Sequence, residues 1–171
     1  MELSALQFVF ANGVESPLVE SQDAPNEELK VSFIDTSREI RYVRMKLYLG
    51  IYYTALWFED EQERTILKDE WFNVGVSADV WTSQQKIPDG QHIIGFKAET
   101  EGYEHGLNHV SLLLGRIGER GIVGELRFPL MEEYPSFPQF YRMQYATKKQ
   151  WPKLSKIHYK QEDNDAYMSG L

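Results

Sequence analysis

Hydrophobic and polar residues alternate in short runs along most of this chain. Val43, Met45, Leu47 and Leu49 are separated by Arg44, Lys46 and Tyr48, the two-residue period of a strand with one face buried. Leu6, Phe8 and Phe10 repeat the pattern, as do Val110, Leu112 and Leu114. Ile122, Leu126 and Phe128 fall on one side of a further run, with Val123, Glu125 and Arg127 on the other. Shorter runs rich in Val, Ile, Phe, Tyr and Trp cover 30–34, 52–58, 65–68, 71–76, 78–83 and 92–98, the composition that strands favour.

Turn residues separate the runs. Asn12-Gly13 closes the first, Pro88-Asp89-Gly90 precedes the run at 92–98, and 116–121 carries Gly118 and Gly121 between two strands, as hairpin loops do. Glu59–Glu63 reads as a solvated hairpin tip. No helical period intervenes, so the sequence predicts an all-β body: an antiparallel β-sandwich or a β-prism-like domain.

The pattern changes after residue 130. Pro129, Pro135, Pro138 and Pro152 interrupt any sheet ladder. Ser136 can cap a short helix with Pro138 in its first turn, running to about Gln150. Beyond Pro152 neither period persists, which predicts an extended tail. The organisation expected is a β-rich domain over 1–130 and a Pro-, aromatic- and Lys-rich C-terminal extension over 131–171.

Charge sharpens that division. The chain of 171 residues carries a net charge of −8. Residues 1–140 hold 12 Lys and Arg against 23 Asp and Glu, whereas 141–161 hold six cations and no acid. An acidic body repels nucleic acid, and a basic segment seeks acidic surfaces or its own body. Zero cysteines exclude a disulfide framework, a Cys-ligated zinc site and a cysteine nucleophile. The first residues lack the pattern of a secretory signal, and no apolar run has membrane-spanning length. A soluble, cytoplasmic protein with no membrane partner is the expectation.

Few residues suggest chemistry. His105 and His109 stand four apart with Glu101 and Glu104 nearby, a spacing that grips zinc from a helix face. Gly102 and Gly106 disfavour that helix, and Gly106 occupies the place of a metalloprotease glutamate. A glycine-bearing hairpin loop is the plainer account, and a metal-dependent hydrolase the bolder one. Glu59–Glu63 and Asp163-Asn164-Asp165 offer oxygen ligands, but neither has the spacing of a twelve-residue calcium loop. No nucleophile elbow, phosphate loop or dinucleotide fingerprint occurs. The sequence thus indicates a protein with no catalytic residues and no cofactor.

The middle of the chain resembles jacalin-type β-prism lectins. Ile40, Val43 and Met45, then Leu56 and Phe58, then Ile93, Ile94 and Gly95, then Val110, Leu112 and Leu114 fill the places of the repeating phrase in those proteins. The resemblance implies a non-catalytic recognition domain that binds carbohydrate. The sugar-binding Gly-x-x-x-Asp loop is replaced by Gly115–Glu119, with Glu where Asp is expected, so no sugar-site residue carries over.

The C-terminal segment is the richest in interface chemistry, because aromatic, Met and Arg side chains favour interface cores. Phe140, Tyr141, Arg142, Tyr145, Lys148, Lys149, Trp151, Lys153, Lys156 and Tyr159 are the expected partner-binding residues. The function expected is a non-enzymatic binding or scaffold module, anchored by this segment to a protein assembly with an acidic surface. A cytoskeletal polymer is one target that charge alone suggests. Carbohydrate is the alternative ligand, and nucleic acid is disfavoured by the acidic body.

Overall fold

The computed structural model describes residues 2–21, 24–48, 52–68, 79–81, 84–99, 106–128, 140–142 and 153–162. Twelve strands run through the described residues. They are β1 (Glu2–Phe10), β2 (Val19–Glu20), β3 (Lys30–Phe33), β4 (Tyr42–Tyr48), β5 (Tyr52–Glu59) and β6 (Asp79–Trp81). Then follow β7 (Gln85–Lys86), β8 (Gln91–Glu99), β9 (Asn108–Arg116), β10 (Gly124–Arg127), β11 (Phe140–Arg142) and β12 (Leu154–Glu162).

They make three antiparallel sheets. The first has the order β2-β1-β12-β3, the second β5-β4-β6 with β7 also on β4, and the third β10-β9-β8-β11. The all-β expectation therefore holds, and the layers number three among the described residues. The inward faces meet in one core. Leu6 and Phe8 of the first sheet, Met45, Leu56 and Phe58 of the second, and Phe96, Leu112 and Leu114 of the third belong to the same buried cluster. The Phe8 and Phe96 rings lie 4.7 Å apart, tilted by 47°, a favourable aromatic arrangement.

Polar ties fix how the sheets adjoin. The first and second meet where Ile34 bridges Leu67 and Lys68 N–H donates to the Phe33 carbonyl at 2.9 Å. Gln161 of β12 donates its amide to the Thr54 carbonyl of β5 at 2.8 Å. The second and third meet where Gln85 donates to the Arg127 carbonyl, and the Tyr53 hydroxyl donates to the Phe128 carbonyl at 2.6 Å. The bonds to Thr54 and Phe128 are buried, and each satisfies a backbone carbonyl that an interior without water would leave costly.

Two sequence expectations need correction. Phe140–Arg142, placed by sequence inside a short helix, forms β11 and pairs with Lys97–Glu99; the rest of that expected helix lies outside the described residues. Leu154–Glu162, expected as an extended tail, is a strand between β1 and β3 rather than an appendage. Its Leu154, Ile157 and Tyr159 belong to the core, because their apolar side chains match Phe10, Phe8 and Leu6 across the ladder. Among the described residues, no helix is long and apolar enough to cross a membrane.

Candidate functional site

The C-terminal strand divides its side chains between two destinies. Cross-strand neighbours share a face, so the ladder pairs of β12 identify what it presents outward. Lys156 stands beside Val9 and Phe33, and His158 beside Gln7 and Val31. Glu15 bridges Val9 from the next segment. The outer face of the first sheet thus reads Glu15–Val9–Lys156–Phe33 in one row and Gln7–His158–Val31 in the next.

That face is held in order by its own polar pairs. Gln7 donates its amide to the Ser16 carbonyl at 2.9 Å, and its amide oxygen lies 2.7 Å from His158 Nδ1. The amide oxygen is an acceptor, so Nδ1 carries the proton there. Burial holds His158 below the ordinary histidine range, Lys156 pushes the same way, and Glu15 opposes them. Lys160 is committed deeper in the sheet, with Nζ 2.7 Å from Glu20 Oε2 and 2.8 Å from the Pro25 carbonyl. It fixes the start of the connection that must pass from β2, at one edge of the sheet, to β3 at the other.

Phe33 remains at the surface with 48% of its area exposed. Lys156 Nζ lies 6.0 Å from the centre of its ring, within reach of a cation–π contact. Lys153 is exposed and donates to the Thr36 carbonyl at 3.2 Å. Val14 and Leu18, on the segment that flanks β1, are 41% and 40% exposed.

The partner-binding residues expected from sequence therefore separate. Lys156 stands over the Phe33 ring, Lys153 reaches the Thr36 carbonyl towards the turns, and Tyr159 is buried in the core. Phe140, Tyr141 and Arg142 are placed only as the strand β11. Tyr145, Lys148, Lys149 and Trp151 lie outside the described residues. Phe33 was missed because the KVSFI run reads as an ordinary strand. Its partner row becomes visible only once β12 is known to lie alongside.

A second polar region gathers at the sheet end that carries the turns. Arg38 NH1 lies 2.7 Å from Asp60 Oδ2 and its Nε 3.3 Å from Asp35 Oδ2, while NH2 donates to the Thr65 carbonyl at 2.8 Å. Arg41, nearly buried, donates to the Ile87 carbonyl at 2.7 Å and lies 3.3 Å from Asp89 and 3.6 Å from Glu61. Asp60 accepts the backbone N–H groups of Gln62 and Arg64, which turns the chain back towards Thr65. The N–H of Arg64, with Arg38 and Gln62, holds the Asp60 carboxyl below the usual aspartate range against the opposing effect of burial. Asp35 is lowered by the hydroxyl and N–H of Ser37, then by Arg38. The hairpin tip is solvated as expected, with Glu61–Glu63 exposed, while buried Glu59 and Asp60 at its base fasten Arg44, Gln84 and the turn. Asp163–Asp165 lies outside the described residues.

His92 enters the same end from β8. Burial depresses its proton affinity, Glu39 opposes, and Arg41 and Lys153 reinforce. On the outer face of the third sheet, burial works to raise Glu125. Hydrogen bonds from Lys97 (2.9 Å) and Ser111 (2.7 Å) outweigh it and keep the carboxyl lowered.

Of the metal-like pair, His105 lies outside the described residues and His109 is placed only as part of β9. Gly106 has a φ of +84°, and a Cβ there would stand 2.9 Å from the Leu3 carbonyl, so the chain between the two histidines turns tightly onto β1. Among the described residues, no group of three or more metal-ligating side chains converges. No family model, characterised protein or solved structure matches this chain.

Proposed function

We propose that this protein is a non-enzymatic β-rich binding or scaffold module of the cytoplasm, held to a larger protein assembly through the surface of its C-terminal segment. The observation that supports the reading is the construction of β12. Its apolar side chains are locked into the core, while Lys156 stands outward beside exposed Phe33 and exposed Lys153 precedes the strand. An anchor built on a central strand transmits load to the whole sheet, unlike one on a loose tail. The acidic surface of a cytoskeletal polymer is a target of matching charge.

Removing 141–171 is a poor test, because it deletes the strand between β1 and β3. Lys153→Glu combined with Lys156→Glu leaves the core intact. Native isolation and mass spectrometry of both proteins are expected to show partners lost from the double variant, with an unchanged circular dichroism melt. An identical partner set in both preparations would overturn the proposal.

A second reading, carbohydrate binding, draws support from the three antiparallel sheets around one core, the layout implied by a β-prism. A glycan array probed with the full chain tests it, and the absence of any bound glycan would remove it.

A further inference from the structure

We infer that the outer face of the first sheet, at Phe33 and Lys156, docks an acidic protein segment in which a carboxylate adjoins a large apolar side chain. The inference rests on the reading of the chain as a binding module and adds the chemistry of its partner. Two observations carry it: an exposed aromatic ring on a strand, and a lysine within cation–π reach of that ring in a chain whose net charge is −8.

Phe33 faces outward from β3 with nearly half its area in water. Burying such a ring is one of the larger gains an interface can draw from a single residue. Lys156 Nζ stands 6.0 Å from the ring centre, so a carboxylate pairing with it would bring the neighbouring side chain over the ring. Lys153 lies beside Thr36, three residues beyond Phe33, and supplies a second cation. The acid in this row is Glu15, across Val9 from Lys156. Glu20, further down the sheet, is already paired with Lys160.

Charge complementarity then selects the occupant. The whole chain carries −8 and residues 1–140 hold an excess of acids, so an acidic partner is repelled from most of the molecule and drawn to this face. Two cations, Lys156 and Lys153, suit one or two carboxylates. They are too few for a nucleic acid, whose binding commonly neutralises roughly 6–10 phosphates, or for an anionic bilayer, where each basic residue contributes only about 1 kcal/mol.

The test is selection of a random-peptide phage library on the full chain, followed by affinity measurements on the enriched peptides. The expected sequences carry Asp or Glu next to Leu, Ile, Phe or Trp. Phe33→Ala and Lys156→Glu should each weaken binding about tenfold or more, and Lys156→Arg by no more than about threefold. Lys86→Glu, on the second sheet, should leave affinity unchanged. Thermal melts of each variant separate lost binding from lost folding, and Lys156→Arg keeps the test decisive if Lys156→Glu fails to fold. Parallel sedimentation with phosphatidylserine vesicles and titration with a single-stranded oligonucleotide probe the other polyanions.

Peptides without acidic enrichment, no enriched peptides, or binding indifferent to Phe33 and Lys156 would overturn the inference. So would vesicle or oligonucleotide binding through the same residues in place of acidic peptides. If native isolation still loses partners in the double variant while the peptides fail, the module reading survives and this partner chemistry does not.

Discussion

The interior of the first sheet and the arginine-bound corner at its turn-bearing end hold distant residues together by different means. In the sheet, Leu6, Phe8 and Phe10 meet Tyr159, Ile157 and Leu154 across a ladder that joins the two ends of the described chain. Apolar burial supplies that attachment, and salt barely affects it. At the corner, Arg38 and Arg41 join segments around residues 35, 60, 65 and 87 through carboxylates and carbonyls. That attachment is directional, partly wet and sensitive to protons. The contrast teaches that this molecule keeps its shape with grease and tunes its end with charge.

The strongest way to break the comparison is to hollow the greasy side. Ile157→Ala removes a fully buried side chain opposite Phe8 and is expected to cost about 2–5 kcal/mol, read as a lower urea midpoint. A loss comparable to that of a surface substitution would show that β12 is not part of the cooperative core. Lys160→Met sharpens the boundary between the two regimes, because this cation lies buried in the apolar sheet. It keeps the aliphatic stem and deletes the bonds to Glu20 and Pro25, for an expected cost of about 1.5–3 kcal/mol. An unchanged midpoint would mean that the β2–β3 connection is fixed by other contacts.

Arg38→Gln tests the charged side and should have the smallest effect at neutral pH, about 0.2–1 kcal/mol, because the guanidinium is partly exposed. Its signature lies in acid. Asp35 and Asp60 have proton affinities lowered by folding. The unfolded chain therefore binds protons first, and their contribution is present above about pH 4 and lost as pH falls through the folded values. His92 and His158 are also lowered, so stability begins to decline earlier, as pH falls below roughly 6.5. Arg38→Gln should make the aspartate limb of a stability-against-pH curve shallower, since Ser37 and the Arg64 N–H keep part of it, and leave the histidine limb in place. Parallel curves for variant and parent would refute the corner assignment.

Much of the body was legible because its strands are short runs rich in β-branched and aromatic residues, bounded by turn residues. The runs at 43–49, 52–58, 92–98 and 110–114 correspond to β4, β5, β8 and β9, and Gly13, Gly90 and Gly118 take the positive φ that their turns require. Ile122 departed from the expected buried face and is exposed, since β10 begins only at Gly124 and the residues before it belong to the turn. β12 was missed for a specific reason. Its inward positions are Leu154, Ile157, Tyr159 and the polar Gln161, and the ladder shifts register between Val9 and Phe10. An irregularity of that kind throws the apolar residues out of phase. Gln161 then conceals the last inward place, because it serves the Thr54 carbonyl and not the apolar pattern. The site followed the same logic. Lys153 and Lys156 could be read as cations, but Phe33 is separated from them by well over a hundred residues of sequence and joins them only through the ladder.

The adjacency of β1 and β12 also orders events at the ribosome. At synthesis rates of about 5–20 residues per second, roughly 7–30 s separate the emergence of the two strands. During that interval the Leu3–Phe10 stretch has no neighbour on the β12 side, and an unpaired apolar strand invites other chains. That apolar stretch stays open to other chains until β12 arrives to cover its second edge.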